Sequence, residues 1–72
     1  MLVKMEVYQE DGTRCARGIG QDIFTQGKTA DELFENIKEA VALHFENGGE
    51  TPDIDILVVS ELKLHHAPAA SG

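Results

Sequence analysis

The sequence predicts an α+β domain of element order β-β-β-α-β, with the strands in spatial order 3-2-1-4 and one helix packed on one face of the sheet. Three observations predict it. Leu2 to Gln9 alternates in polarity and runs into an Asp11-Gly12 pair, the mark of a tight antiparallel hairpin. The stretch from Phe24 to Gly48 carries apolar residues at helical spacing. After it, Ile56-Leu57-Val58-Val59 is rich in β-branched residues. Hairpin neighbours make the first three strands an antiparallel meander. The helix then crosses over, right-handed, and returns the last strand parallel to the first.

In the first strand, Val3, Met5 and Val7 occupy the face turned to the helix, and Leu2, Lys4, Glu6 and Tyr8 the other. Glu10-Asp11-Gly12 forms the turn. The second strand runs from Thr13 to about Ile19, with the small residues Ala16 and Gly18 on one face, where they let a helix come close. A brief third strand spans Asp22 to Gln26. Gly18-Ile19-Gly20-Gln21 leads into no helix, and Gly27-Lys28-Thr29 lacks the earlier glycine of a phosphate-binding loop. Gly27-Lys28-Thr29 is therefore a turn followed by a helix N-cap. Thr29 and Glu32 have the T-x-x-E spacing of a capping box.

On the helix, Ala30, Leu33, Phe34, Ile37, Ala40, Val41, His44 and Phe45 fall on one arc and face the sheet, while Glu32, Glu35, Glu39 and Glu46 face water. Asn47-Gly48-Gly49 is expected to stop the helix through a left-handed glycine. Glu50 to Asp53 is a loop, and Ile54 to Leu64 is the fourth strand, whose continuous apolar centre implies burial on both faces. Residues 1–64 read as a single domain and 65–72 as a disordered tail.

Six basic residues stand against thirteen acidic ones, a formal net charge of −7. Such a chain repels polyanions, so nucleic acid is not expected as a partner, and a basic protein is what it would steer in. A single cysteine allows no internal disulfide and suits a reducing cytoplasm. Lys4, Glu6 and Glu10 interrupt any signal peptide, and no apolar run is long enough to span a membrane. A domain of this size buries only about 60% of its unfolded surface. Homodimerisation is the expected support.

The residues that could carry chemistry have plainer roles. His44 sits near a helix C-terminus, where partial positive charge is favoured, and no nucleophile accompanies it. His65 and His66 are adjacent, so in a strand they point to opposite faces. Cys15 has no histidine beside it and reads as a small strand residue. Of the carboxylates that could hold Mg²⁺ or run hydrolysis, namely Glu6, Asp11, Asp22, Asp53 and Asp55, three lie in turns or at strand ends for backbone reasons. No catalytic, cofactor or metal site is expected.

Three segments together resemble a known family. Glu10–Ala16 reads E-D-G-T-R-C-A, Ile23–Leu33 reads I-F-T-Q-G-K-T-A-D-E-L, and Glu35–Glu46 reads E-N-I-K-E-A-V-A-L-H-F-E. This pattern is similar to the N-terminal domain of the HicB-type antitoxins, in a short form without a helix-turn-helix or ribbon-helix-helix segment for DNA. The resemblance implies a fold like a truncated ribonuclease H without catalytic activity. It also implies a partner, a small basic mRNA-cleaving toxin of the HicA type, blocked by direct binding.

The expected partner-binding residues are Asp22, Asp31, Glu32, Glu35 and Glu39. The expected oligomer interface is the uncovered side of the sheet, through Leu2, Tyr8, Val58 and Val59. The alternative is a small-molecule-binding or regulatory domain of the same fold with no toxin partner. A degenerate nuclease is the third reading.

Overall fold

The computed structural model describes residues 1–61. Its elements are β1 (Leu2–Glu10), β2 (Thr13–Gly18), β3 (Phe24–Gly27), α1 (Ala30–Phe45) and β4 (Asp55–Ser60). They form one four-stranded sheet of order β3-β2-β1-β4, as the sequence predicts. β1 pairs antiparallel with β2 and parallel with β4, and β2 pairs antiparallel with β3. No helix among the described residues is long and apolar enough to cross a membrane.

The β1–β2 turn follows from its residues. Asp11 and Gly12 have φ of 52° and 77°, the positive pair that a two-residue hairpin needs, and Glu10 sits opposite Thr13. Register then fixes the faces. Val3, Met5 and Val7 of β1 lie beside Ile56, Val58 and Ser60 of β4, and Met5 and Val7 lie beside Gly18 and Ala16 of β2. This is the helix side. The core consists of Val3, Met5, Ala16, Ile23, Leu33, Ile37 and Val41, with Val7, Ala40, Phe45, Ile54 and Ile56 packed partly against it.

α1 starts where its cap predicts. Thr29 is in extended backbone, and its Oγ1 accepts from the Glu32 amide at 3.1 Å. Just before it, Gly27 is buried beneath the first turn. A Cβ there would stand 2.7 Å from the Leu33 amide nitrogen, so glycine lets the helix settle onto β3. Asn36 Nδ2 donates to the Gln26 carbonyl at 2.7 Å and ties the second turn to the same strand. The helix consequently lies over β3 and β2, with β4 uncovered beside it.

Several boundaries and faces differ from the sequence expectation. The helix ends at Phe45, and its C-cap, Glu46, is extended at φ −62° and ψ 134°. Gly48 and Gly49, at φ 64° and 85°, form instead the centre of a tight turn closed by paired hydrogen bonds between Asn47 and Glu50. The buried stripe is also narrower than the predicted arc, because the helix touches the sheet along Leu33, Ile37 and Val41, while Ala30, Phe34 and His44 are exposed. The third strand is Phe24–Gly27, displaced toward the helix from Asp22–Gln26. β4 is Asp55–Ser60, and burial on both of its faces is not found: Leu57, Val58 and Val59 are all exposed. The tail, His65, His66 and the predicted end of the fourth strand at Leu64 lie outside the described residues.

Candidate functional site

Opposite the buried stripe, Asp31, Glu32, Glu35 and Glu39 are all exposed. At 100° per residue they share an arc of about 100°, centred away from Ile37. Lys38 is the one lysine or arginine within α1, and its Nζ donates to Glu35 Oε1 at 3.0 Å, with both side chains about two-thirds exposed at 66% and 69%. An ion pair so solvated neutralises one of four carboxylates and leaves a negative ridge. Asp31 and Glu32 also occupy the first turn, where the helix dipole favours acids. Asp22 does not join them. It borders Ala40, Leu43 and His44 at the other end of the helix, which at 1.5 Å per residue is about 20 Å from the first turn.

Beside this ridge, between α1 and β4, runs an open groove of about 660 Å³. Phe34, Ile37, Ile56 and Val58 form its apolar floor and wall, and Asp31, Glu35 and Lys38 its rim. The groove exists because Gly27 and Asn36 hold the helix over the β3 side. Sequence periodicity placed Phe34 in the core and Val58 on the uncovered side, so it did not reveal this groove.

The other face of the sheet is open. Pairing places Leu2, Lys4, Glu6 and Tyr8 there with Cys15 and Arg17 of β2, Phe24 and Gln26 of β3, and Asp55, Leu57 and Val59 of β4. Leu2, Tyr8 and Val59 of the expected interface therefore share this face, whereas Val58 looks the opposite way, into the groove. The middle of the open face is polar. Arg17 donates to Glu6 Oε1 at 2.9 Å across the β1–β2 pair, and its guanidinium carbon lies 5.2 Å from the Tyr8 ring centroid. Exposed apolar side chains gather along the β4 border as Leu2, Leu57 and Val59, with Phe24 alone at the far edge.

The titratable and nucleophilic candidates stay apart. Glu6 is committed to Arg17, Asp11 is at the hairpin tip, Asp22 is in the β2–β3 connection, and Asp53 and Asp55 flank the start of β4. Among the described residues no three of His, Cys, Asp or Glu converge as metal ligands would. His44 is exposed and stands edge-on to Phe45, with ring centroids 4.8 Å apart. Cys15 is buried although it belongs to the open face, and its Sγ contacts the Thr13 carbonyl oxygen at 3.8 Å.

The chain is similar to a UPF0150 protein of Thermotoga maritima, 45% identical over 47 residues, which is 65% of this chain and 67% of that protein. It is also similar to a UPF0150 protein of Archaeoglobus fulgidus, 45% identical over 42 residues. That match covers 58% of this chain and 64%, just under two thirds, of the relative. No family model matches the chain. No solved structure matches it. The identity and coverage shared with the Thermotoga protein place the chain in a family: it belongs to the UPF0150 proteins.

Proposed function

We propose that the chain is a non-enzymatic, cytoplasmic protein-binding module of the antitoxin type, which neutralises a small basic mRNA-cleaving toxin of the HicA type by direct binding. The acidic ridge carries this reading. Four exposed carboxylates with one lysine among them, on a chain of net charge −7, attract a basic partner and repel nucleic acid. The resemblance of Glu10–Ala16, Ile23–Leu33 and Glu35–Glu46 to the HicB-type pattern supports the class of that partner. In this reading Asp31, Glu32, Glu35 and Glu39 contact the toxin, and Asp22 adds a separate contact at the far end of the helix. The chain works as a homodimer joined through its sheet, since pairing two acidic helices would bring like charges together.

The reading predicts a small basic ribonuclease encoded beside this chain. Co-expression should relieve the growth arrest that this ribonuclease causes. Glu35 and Glu39 are the positions to reverse, because Asp31 and Glu32 also serve the helix start. Changing both to lysine adds two charges at each position and takes the net charge from −7 to −3. The E35K/E39K chain should keep its thermal midpoint and lose the relief. Equal relief by both chains overturns the ridge as the binding surface. RNA cleavage by the chain alone, dependent on Mg²⁺ and abolished by Glu6→Ala or Asp11→Ala, overturns the non-enzymatic reading. The groove lined by Phe34, Ile37, Ile56 and Val58 favours a second reading, a small-molecule-binding domain with no toxin partner.

A further inference from the structure

The two edges of the sheet are unequal. β3 is four residues long, lies under the helix start, and has its Gln26 carbonyl taken up by Asn36. β4 has six residues and pairs with β1 on one side, and among the described residues nothing pairs with its other side. Soluble proteins guard such an edge with charge, proline, a bulge or brevity. From Ile56 to Ser60 this strand has no charge and no proline. Its side chains are apolar toward both faces, with Ile56 and Val58 toward the groove and Leu57 and Val59 toward the open face.

We propose that this edge is where two copies of the chain join, β4 to β4, so that the sheet continues from one copy into the other. The inference rests on the homodimer reading above and names its seam. Charge selects a second copy as the occupant. A basic partner gains little from the uncharged run from Ile56 to Ser60, whereas two chains of net charge −7 approach best where carboxylates are fewest. Antiparallel pairing about a two-fold axis through Leu57 puts Leu57 opposite Leu57 of the second copy and Ile56 opposite its Val58. Asp53 then stands opposite Glu61 of the second copy at each end of the seam, where both are exposed and water screens them, and the Asp55 carboxylate stays on the open face in water.

Because each helix lies over β3 and β2, strand spacing of about 4.8 Å keeps the two acidic ridges more than about 20 Å apart, beyond the screening length. Leu2, Leu57, Val58, Val59 and Phe34, each between 37% and 57% exposed, supply apolar surface along the joint. Even fully covered they would provide at most roughly half of the ~800 Å² that each partner contributes to a stable interface, and the backbone of the paired strands must supply the rest. Stacking the open faces against each other is the poorer arrangement, since it would take the Glu6–Arg17 pair and Lys4 out of water.

The test combines sedimentation with amide hydrogen exchange on the full chain over a dilution series. The wild type should sediment at twice 7.9 kDa. Its outward-pointing β4 amides should exchange slowly when concentrated and quickly when dilute. Val58→Lys puts a charge in the seam from the groove side and should weaken the dimer at least about tenfold. Phe24→Lys, on the open face at the far edge, should leave the dimer intact. A dimer broken by Phe24→Lys and indifferent to Val58→Lys overturns the edge and keeps the homodimer. A monomer at every concentration overturns both. Should Val58→Lys fail to fold, the dilution dependence of wild-type exchange decides: protection that does not follow dimer content overturns the seam.

Discussion

Replacing Gly27 with alanine tests what holds the helix where it is. The added Cβ would stand 2.7 Å from Leu33 N, 2.9 Å from Leu33 Cα and 3.1 Å from the Glu32 carbonyl carbon. The closest of these is about 0.7 Å short of ordinary contact at 3.4 Å. All three atoms are backbone, so no side-chain rotation relieves the overlap, and the first turn of α1 must lift from β3. Lifting it disturbs Leu33, which is 1% exposed, and the Asn36–Gln26 bond one turn later. Overpacking of this kind costs about 1–3 kcal/mol. The alanine also restricts the unfolded chain, which returns about 0.4–1 kcal/mol. At the middle of both ranges the steric cost wins, leaving a net loss of about 1.3 kcal/mol, and of about 2.6 kcal/mol at the upper limit.

For a domain this small, a loss of about 1.3 kcal/mol lowers the thermal midpoint by about 5–10 °C. Melting followed by far-ultraviolet circular dichroism reads it directly. Two controls identify the cause. Gly12 has φ of 77° and nothing within 4 Å of an added Cβ, so Gly12→Ala reports backbone strain without a clash. Because the clash is with Leu33's backbone, Leu33→Ala should not rescue Gly27→Ala, and the double variant should be less stable than either single one. A midpoint for Gly27→Ala within about 2 °C of wild type, or a double variant more stable than Gly27→Ala, would refute the close approach as the determinant of helix position.

Thr29→Ala removes the side-chain acceptor for the Glu32 amide and should cost about 1 kcal/mol in chemical denaturation, while Thr29→Asp should restore most of it. Ile37→Ala, at the centre of the buried stripe, should cost about 2–5 kcal/mol and leave little folded protein at ambient temperature. Arg17→Ala breaks a solvated ion pair with Glu6 and should change stability by less than about 1 kcal/mol. Mixed with a palindromic promoter fragment at physiological salt, the chain should give no gel shift, since its six bases are dispersed among thirteen acids.

The elements that could be read from the sequence are those set by local chemistry. Asp11-Gly12 dictated the hairpin, Thr29 the helix start, and the alternation of Val3, Met5 and Val7 the buried face of β1. Given a hairpin, a short strand and a crossover helix, the strand order followed. What could not be read was the sideways position of the helix, because periodicity says which arc is buried and not over which strands it lies. That offset depends on Gly27, whose role as a near-contact is invisible in a G-K-T string, and on Asn36, a polar residue that reaches strand β3. The offset left Phe34 and Val58 lining a groove and separated Val58 from Leu2, Tyr8 and Val59. Asp22 was grouped with the helix acids on charge alone, and the β2–β3 connection carries it to the opposite end of the helix. Gly48-Gly49 served a turn after the helix instead of its cap, since Glu46 had already left helical backbone.

In the proposed function the acidic ridge of α1 holds a basic protein. Purification of the tagged full chain from its native cell, with mass spectrometry of what accompanies it and a ribonuclease assay before and after high-salt release, tests this most directly. A stoichiometric small basic protein should accompany the wild-type chain, cleave RNA only once released, and be absent when Glu35 and Glu39 are lysine. A chain recovered alone, or one whose E35K/E39K form retains the same partner, would contradict the proposed function.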